Sequence, residues 1–127
     1  MAKPGASGIK RIIDATKYSF KGFRSGFKTE AAIRQELFLA IIFNIVAFFI
    51  ATSPVMLILL VIMPWLVFTF ELVNSAIEAC IDRIGDEYHE LSGKAKDLGS
   101  ACVFVLLMLT LFTYIVAFLD YFKIWTI

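Results

Sequence analysis

Three blocks of this chain are apolar for long enough to cross a bilayer, and that leaves few folds open. Half-buried strands alternate apolar and polar residues, and these blocks do not alternate. In hydrocarbon each backbone N–H and C=O needs a protein partner, so apolar blocks of about 20 residues read as helices. The spans are placed at 31–53, 54–81 and 98–119. Composition agrees: 60% of the residues are apolar, where a soluble domain has about 45–50%. The 127 residues fit one domain, 1–127, of an all-α membrane protein. A net charge of +1 gives no reason to expect a nucleic-acid partner.

The first span is most apolar over 37–51, with Gln35 and Glu36 at its entrance and Asn44 deep inside. Thr52-Ser53-Pro54 forms a very short turn; Ser53 suits a helix N-cap and Pro54 a first helical position. Pro64 removes one backbone hydrogen bond within the second span and predicts a kink. The third span carries no charge. Basic residues cluster upstream of the first apolar core (Lys3, Lys10, Arg11, Lys17, Lys21, Arg24, Lys28, Arg34) and between spans two and three (Arg83, Lys94, Lys96). The positive-inside rule then puts the N-terminus and the 82–97 loop in the cytoplasm and the C-terminus outside. Met1–Glu30 lacks the apolar core of a signal peptide. Within 1–29, Ile9, Ile13, Phe20, Phe23 and Phe27 interleave with lysines and arginines. That pattern reads as an amphipathic helix lying on an anionic leaflet, with Gly22 or Gly26 marking a bend. Lys10 and Arg11 can equally hold phosphate.

Glu71 closes the apolar run 55–70 and starts a polar series with Asn74, Ser75, Glu78 and Asp82. A carboxylate so close to hydrocarbon costs roughly 2.5–3.5 kcal/mol even on lenient scales, so a helix that carries one has a use for it. At helical spacing the five residues fall within roughly 100° of arc, one polar stripe from the bilayer to its surface. Two acids on that stripe, Glu71 and Glu78, can divide the tasks of proton acceptor and metal ligand. Glu30, at the start of span one, is a third acid at the depth of Glu78. The 82–97 segment reads as a solvated loop or, given its acids beside Lys94 and Lys96, as a site for Mg²⁺ and a nucleoside triphosphate. Ser92-Gly93-Lys94 is not a Walker loop, because Tyr88 stands where the first glycine belongs and Ala95 where Ser or Thr belongs. No protein-kinase signature is present. Cys80 and Cys102 are read as packing residues, and His89, the one histidine, as a loop residue with acidic neighbours.

Glu71-Leu72-Val73-Asn74-Ser75-Ala76-Ile77-Glu78-Ala79, then Asp82-Arg83, then the run from Asp86-Glu87-Tyr88-His89-Glu90 to Lys96-Asp97 resembles bacterial diacylglycerol kinase, the small integral-membrane type. Arg11, Tyr18-Ser19, Lys21-Gly22, Arg24, Glu30 and Arg34-Gln35-Glu36 resemble its N-terminal half in the same order. The resemblance implies transfer of the γ-phosphoryl group of MgATP to diacylglycerol, by a homotrimer with composite sites at the cytoplasmic membrane surface. It implies Glu71 as general base, Asn74 as its support, and Glu30 and Glu78 as Mg²⁺ ligands. Arg11, Tyr18, Glu87, Tyr88, His89, Lys96 and Asp97 would contact the nucleotide, Asp97 by orienting Lys96 or the nucleoside. Arg11, Ser19, Arg24, Glu36, Glu71 and Ser100 would face the lipid substrate, and Phe20, Phe23 and Phe27 would sit beside its acyl chains. Two alternatives stay open: a related kinase acting on a polyprenol such as undecaprenol, and a small channel or transporter subunit that uses its acids as an ion path.

Overall fold

The computed structural model describes residues 7–124; the remainder, including Lys3, lies outside the described residues. All regular structure among the described residues is helical: α1 (Gly8–Thr29), α2 (Ala31–Ile50), α3 (Pro54–Ile84) and α4 (Glu90–Tyr121). The last three are long and apolar enough to cross a membrane, as the hydropathy pattern predicts. α3 is central, packed along both α2 and α4, while α1 touches mainly the start of α2.

The helix ends differ from the apolar blocks. α2 stops at Ile50, three residues before the end of the predicted span, because Ser53 and Pro54 already begin the next helix. Ser53 caps α3 as expected, its hydroxyl accepting from the Met56 N–H at 3.2 Å. α3 runs on to Ile84, past the predicted 81, until Gly85 adopts φ +155, a conformation that side-chain-bearing residues avoid. α4 starts at Glu90, eight residues earlier than 98, capped by His89, whose Nδ1 accepts from Leu91 N–H at 3.1 Å. The loop expected over 82–97 is therefore only the turn 85–89. At 1.5 Å per residue, α3 and α4 are about 46 and 48 Å long, beyond the about 30 Å of a hydrocarbon core.

Inside the bundle, Ala47, Ile50, Leu60, Tyr114 and Ala117 form a buried cluster toward the α2–α3 turn. Pro64 lies one turn beyond Leu60 in α3, which runs unbroken through it. Having no N–H, Pro64 leaves the Leu60 carbonyl without its helical donor. The Tyr114 hydroxyl from α4 lies 2.9 Å from that carbonyl and 2.7 Å from the Phe43 carbonyl of α2. One carbonyl further on, Val61 receives Asn44 Nδ2 at 3.4 Å, and Asn44 Oδ1 accepts from Trp65 Nε1 at 2.9 Å. The deep asparagine is thus satisfied by α3, at the place where proline weakens α3. At the α2–α3 turn the Thr52 hydroxyl donates to the Asp120 carboxylate near the end of α4. Cys80 and Cys102 are free thiols, exposed on the single chain.

Candidate active site

Helical spacing turns one face of α3 inward, and Leu60, Pro64, Val67, Glu71 and Asn74 all lie buried along it. The apolar half of that face packs the bundle. Its continuation buries two polar side chains, Glu71 at 9% and Asn74 at 7% exposure. Glu78, one turn further, is half-buried. Asn74 Nδ2 donates to Glu78 Oε1 at 3.3 Å, and the same side chain is within reach of the Glu71 carboxylate. Asn74 Oδ1 is buried without a partner. It points at Gly99 of α4, where any β-carbon would overlap it, so this glycine makes room for the asparagine. The charge of Glu71 is opposed by Glu78 and Glu30, and that of Glu36 by Glu71. Four of the predicted site acids thus share one electrostatic neighbourhood, contributed by α2, α3 and the single residue between α1 and α2.

The second centre is the α3–α4 turn. A cleft of about 330 Å³ opens there, lined by Asp82, Asp86, Glu87, His89 and Lys96 among others. Lys96 Nζ is held by Asp82 Oδ1 at 2.6 Å. Asp97, expected to orient either Lys96 or the nucleoside, is exposed, and adjacent residues on a helix diverge by about 100°. Asp82 is the acid that sequence reasoning missed, although it stands one turn beyond Glu78 on the same stripe. Tyr88 is exposed, its ring lying over Gly93. Ser100, one turn after Lys96, is also exposed. His89 has a structural task as the α4 cap through Nδ1, and the residue is exposed.

α1 supplies the third part. Ser19 lines a cleft of about 430 Å³ with Glu30 and Ser75, and Gly22 and Gly26 form its α1 side. Phe23 and Ile33 separate it from an apolar cleft of about 410 Å³ lined by Phe20, Phe27, Leu37 and Phe68, with Arg24 at its edge. Phe23 stacks on Phe68 at 6.4 Å and 20°. Phe68, hidden among the apolar residues of its span, gave no sequence signal. Arg11 and Tyr18 are exposed on α1. Along the helix they lie about 28 and 18 Å from Glu30, so one chain does not gather every predicted residue into one place.

Residues 17–118 match the family described as prokaryotic diacylglycerol kinase. The chain belongs to this family. It is 48% identical to a diacylglycerol kinase of Haemophilus influenzae, over 80% of this chain and 86% of the relative. It is 41% identical to one from Escherichia coli, over 91% and 95%, and 44% identical to one from Pseudomonas aeruginosa, over 87% and 89%. The family match contains Glu30, Glu36, Glu71, Glu78 and the whole α3–α4 turn, and leaves Arg11 outside.

Proposed function

We propose that this protein transfers the γ-phosphoryl group of ATP to the free hydroxyl of diacylglycerol, yielding phosphatidic acid and ADP. The observation that carries the reading is the pairing of a buried carboxylate, Glu71, with an aqueous acid–lysine cleft beyond it on the same two helices. Glu71 accepts the hydroxyl proton as the lipid oxygen attacks the γ-phosphorus; the bond from that phosphorus to the β,γ-bridging oxygen breaks, and ADP departs. Burial keeps Glu71 beside an interfacial alcohol and away from bulk water. Lys96, oriented by Asp82, meets the phosphates as a point charge, His89, Glu87 and Tyr88 line the cleft where the nucleoside enters, and Asp97, outside that lining, is assigned to the nucleoside's polar groups.

The donor set fits Mg²⁺. Among the described residues no three acid, histidine or cysteine side chains form a complete metal cage. Two carboxylates, Glu30 and Glu78, leave room for phosphate oxygens and water, which is how protein-bound Mg²⁺ is usually held. Held by Glu30 and Glu78, Mg²⁺ would supply neutralisation of the triphosphate; the Asn74 amide orients the Glu78 carboxylate. Glu36, Ser19 and Ser100 are assigned to the glycerol end of the lipid, Arg24 to its headgroup region, and the four-phenylalanine cleft to an acyl chain.

We infer a homotrimer with sites shared between subunits, which brings Arg11 and Tyr18 of one chain to the acids of another. The enzyme works in the bacterial inner membrane with its N-terminus in the cytoplasm. Radiolabelled ATP given to the purified protein with diacylglycerol and undecaprenol together tests this. Labelled phosphatidic acid on thin-layer chromatography is the expected product. Labelled undecaprenyl phosphate alone would make it a polyprenol kinase, and ion flux without ATP consumption would make it a channel.

A further inference from the structure

One residue separates α1 from α2, and it is Glu30. Its backbone is extended, φ −112° and ψ 115°, between two helices. Its N–H donates to Gly26 O at 2.8 Å, while its carboxylate makes no capping bond. The side chain is therefore not committed to the turn, and it lines the cleft with Ser19 and Ser75. Where that carboxylate points is set by the angle of the elbow.

Two contacts hold the angle. The first is steric: a β-carbon on Gly26 would come 2.7 Å from Ile33 Cδ1, so the bare glycine lets the buried end of the Ile33 side chain pack against α1. The second is polar. Arg34 Nη1, from the first turn of α2, donates to Phe27 O at 2.8 Å and to Lys28 O at 3.3 Å. Those carbonyls belong to the last turn of α1, have no helical donor of their own, and form the negative end of its dipole. The guanidinium thus ties the second helix to the end of the first across Glu30.

We propose that Arg34 is a positioning residue: by clamping the terminal carbonyls of α1 it fixes the elbow and so places the Glu30 carboxylate beside Glu71 and Glu78. The inference rests on the reading of Glu30 as a Mg²⁺ ligand given above. Its rival is that Arg34 is a cation anchored in the headgroups. The two differ in what lysine can replace. Lysine keeps the charge, yet as a single compact ammonium on a flexible stem it does not reproduce the guanidinium geometry.

The test uses the full-length protein in mixed micelles, as wild type, Arg34→Lys, Arg34→Gln and Glu30→Gln. Binding of Mn²⁺ with a non-hydrolysable ATP analogue is measured by electron paramagnetic resonance. Hydrogen exchange of residues 26–36 is followed beside that of the α3–α4 core. Both Arg34 variants should bind Mn²⁺ about tenfold more weakly, the scale of losing a residue that orients a ligand. Their elbow amides should exchange faster while core amides do not change. An Arg34→Lys protein that matches wild type in both measurements overturns the clamp in favour of the anchor. Faster elbow exchange with unchanged Mn²⁺ affinity also overturns it, since the elbow then does not place the carboxylate. If Glu30→Gln binds Mn²⁺ like wild type, the metal-ligand reading fails instead, and elbow exchange in Arg34→Lys still decides whether the clamp exists.

Discussion

Replacing Tyr114 with Phe should destabilise the protein, and Pro64 should be the reason. Tyr114 is 2% exposed, and Phe fills the same space, so no cavity opens. What disappears is a hydroxyl 2.9 Å from Leu60 O and 2.7 Å from Phe43 O. A hydroxyl carries one proton and serves one carbonyl at a time. Phe43 O lies in an uninterrupted helix, whereas Leu60 O has lost its helical donor to Pro64. A buried carbonyl left alone costs about 1–3 kcal/mol, and interhelical hydrogen bonds in membranes measure about 0.6 and at most about 1.7, so a loss of about 1–1.5 kcal/mol is expected. Pro64→Ala returns an N–H to Leu60, and in that background Tyr114→Phe should cost less than about 0.5 kcal/mol. The four proteins of this double-mutant cycle are compared by reversible SDS unfolding in mixed micelles. Equal cost of Tyr114→Phe in both backgrounds would refute the argument, because the hydroxyl would then not be serving the carbonyl that proline exposes.

Glu71→Gln should keep the fold and lose about 10²–10⁴-fold in turnover, since glutamine fills the site but takes no proton; steady-state assay of the folded fraction checks it. Glu78→Gln should raise the Mg²⁺ concentration for half-maximal activity, read from a Mg²⁺ titration, and overlay with wild type removes it from the ligand set. Gly99→Ala should force Asn74 off Glu78 and cost about 1–3 kcal/mol of stability together with activity, measured by unfolding and assay in parallel. Leu37→Phe should shrink the apolar cleft and lower kcat/KM for long-chain relative to short-chain diacylglycerol by about threefold; because the chain leaves lipid for the cleft, shape and not hydrophobicity discriminates. An unchanged ratio would move the acyl chain elsewhere.

What the sequence made legible follows from what hydropathy measures. Apolar length reports partition into hydrocarbon, so the three spans were visible, and the Ser53–Pro54 cap was visible because its chemistry is local. Helix ends obey hydrogen bonding, which is a different criterion. Charged residues halt a hydropathy plot at 81 and 98, whereas α3 ends only where Gly85 turns and α4 begins where His89 can cap it. The inward stripe of Glu71, Asn74 and Glu78 was readable from periodicity. The Lys96–Asp82 pair was not, because it joins residues fourteen apart across a turn whose length was misjudged. The Phe23–Phe68 stack and the Arg34 clamp join different helices, and a single sequence carries no signal of which helix faces meet.

The length mismatch has a chemical consequence. A lipid kinase joins a water-soluble polyanion to an alcohol that does not leave the membrane, so its acid–base group and its phosphate-binding cation belong in different solvents. An aqueous domain hinged over the bilayer is one solution, at the cost of ordering a hinge at each turnover. Here α3 and α4 exceed the hydrocarbon thickness by about 16–18 Å, and the same packed pair carries Glu71 at one level and the Asp82–Lys96 pair at another. Asp82 lies about 16 Å along α3 from Glu71, and the helix between them is one rigid element. Relative position is then fixed by backbone hydrogen bonds and not by a moving domain, which is what a reaction dependent mostly on positioning and charge neutralisation requires.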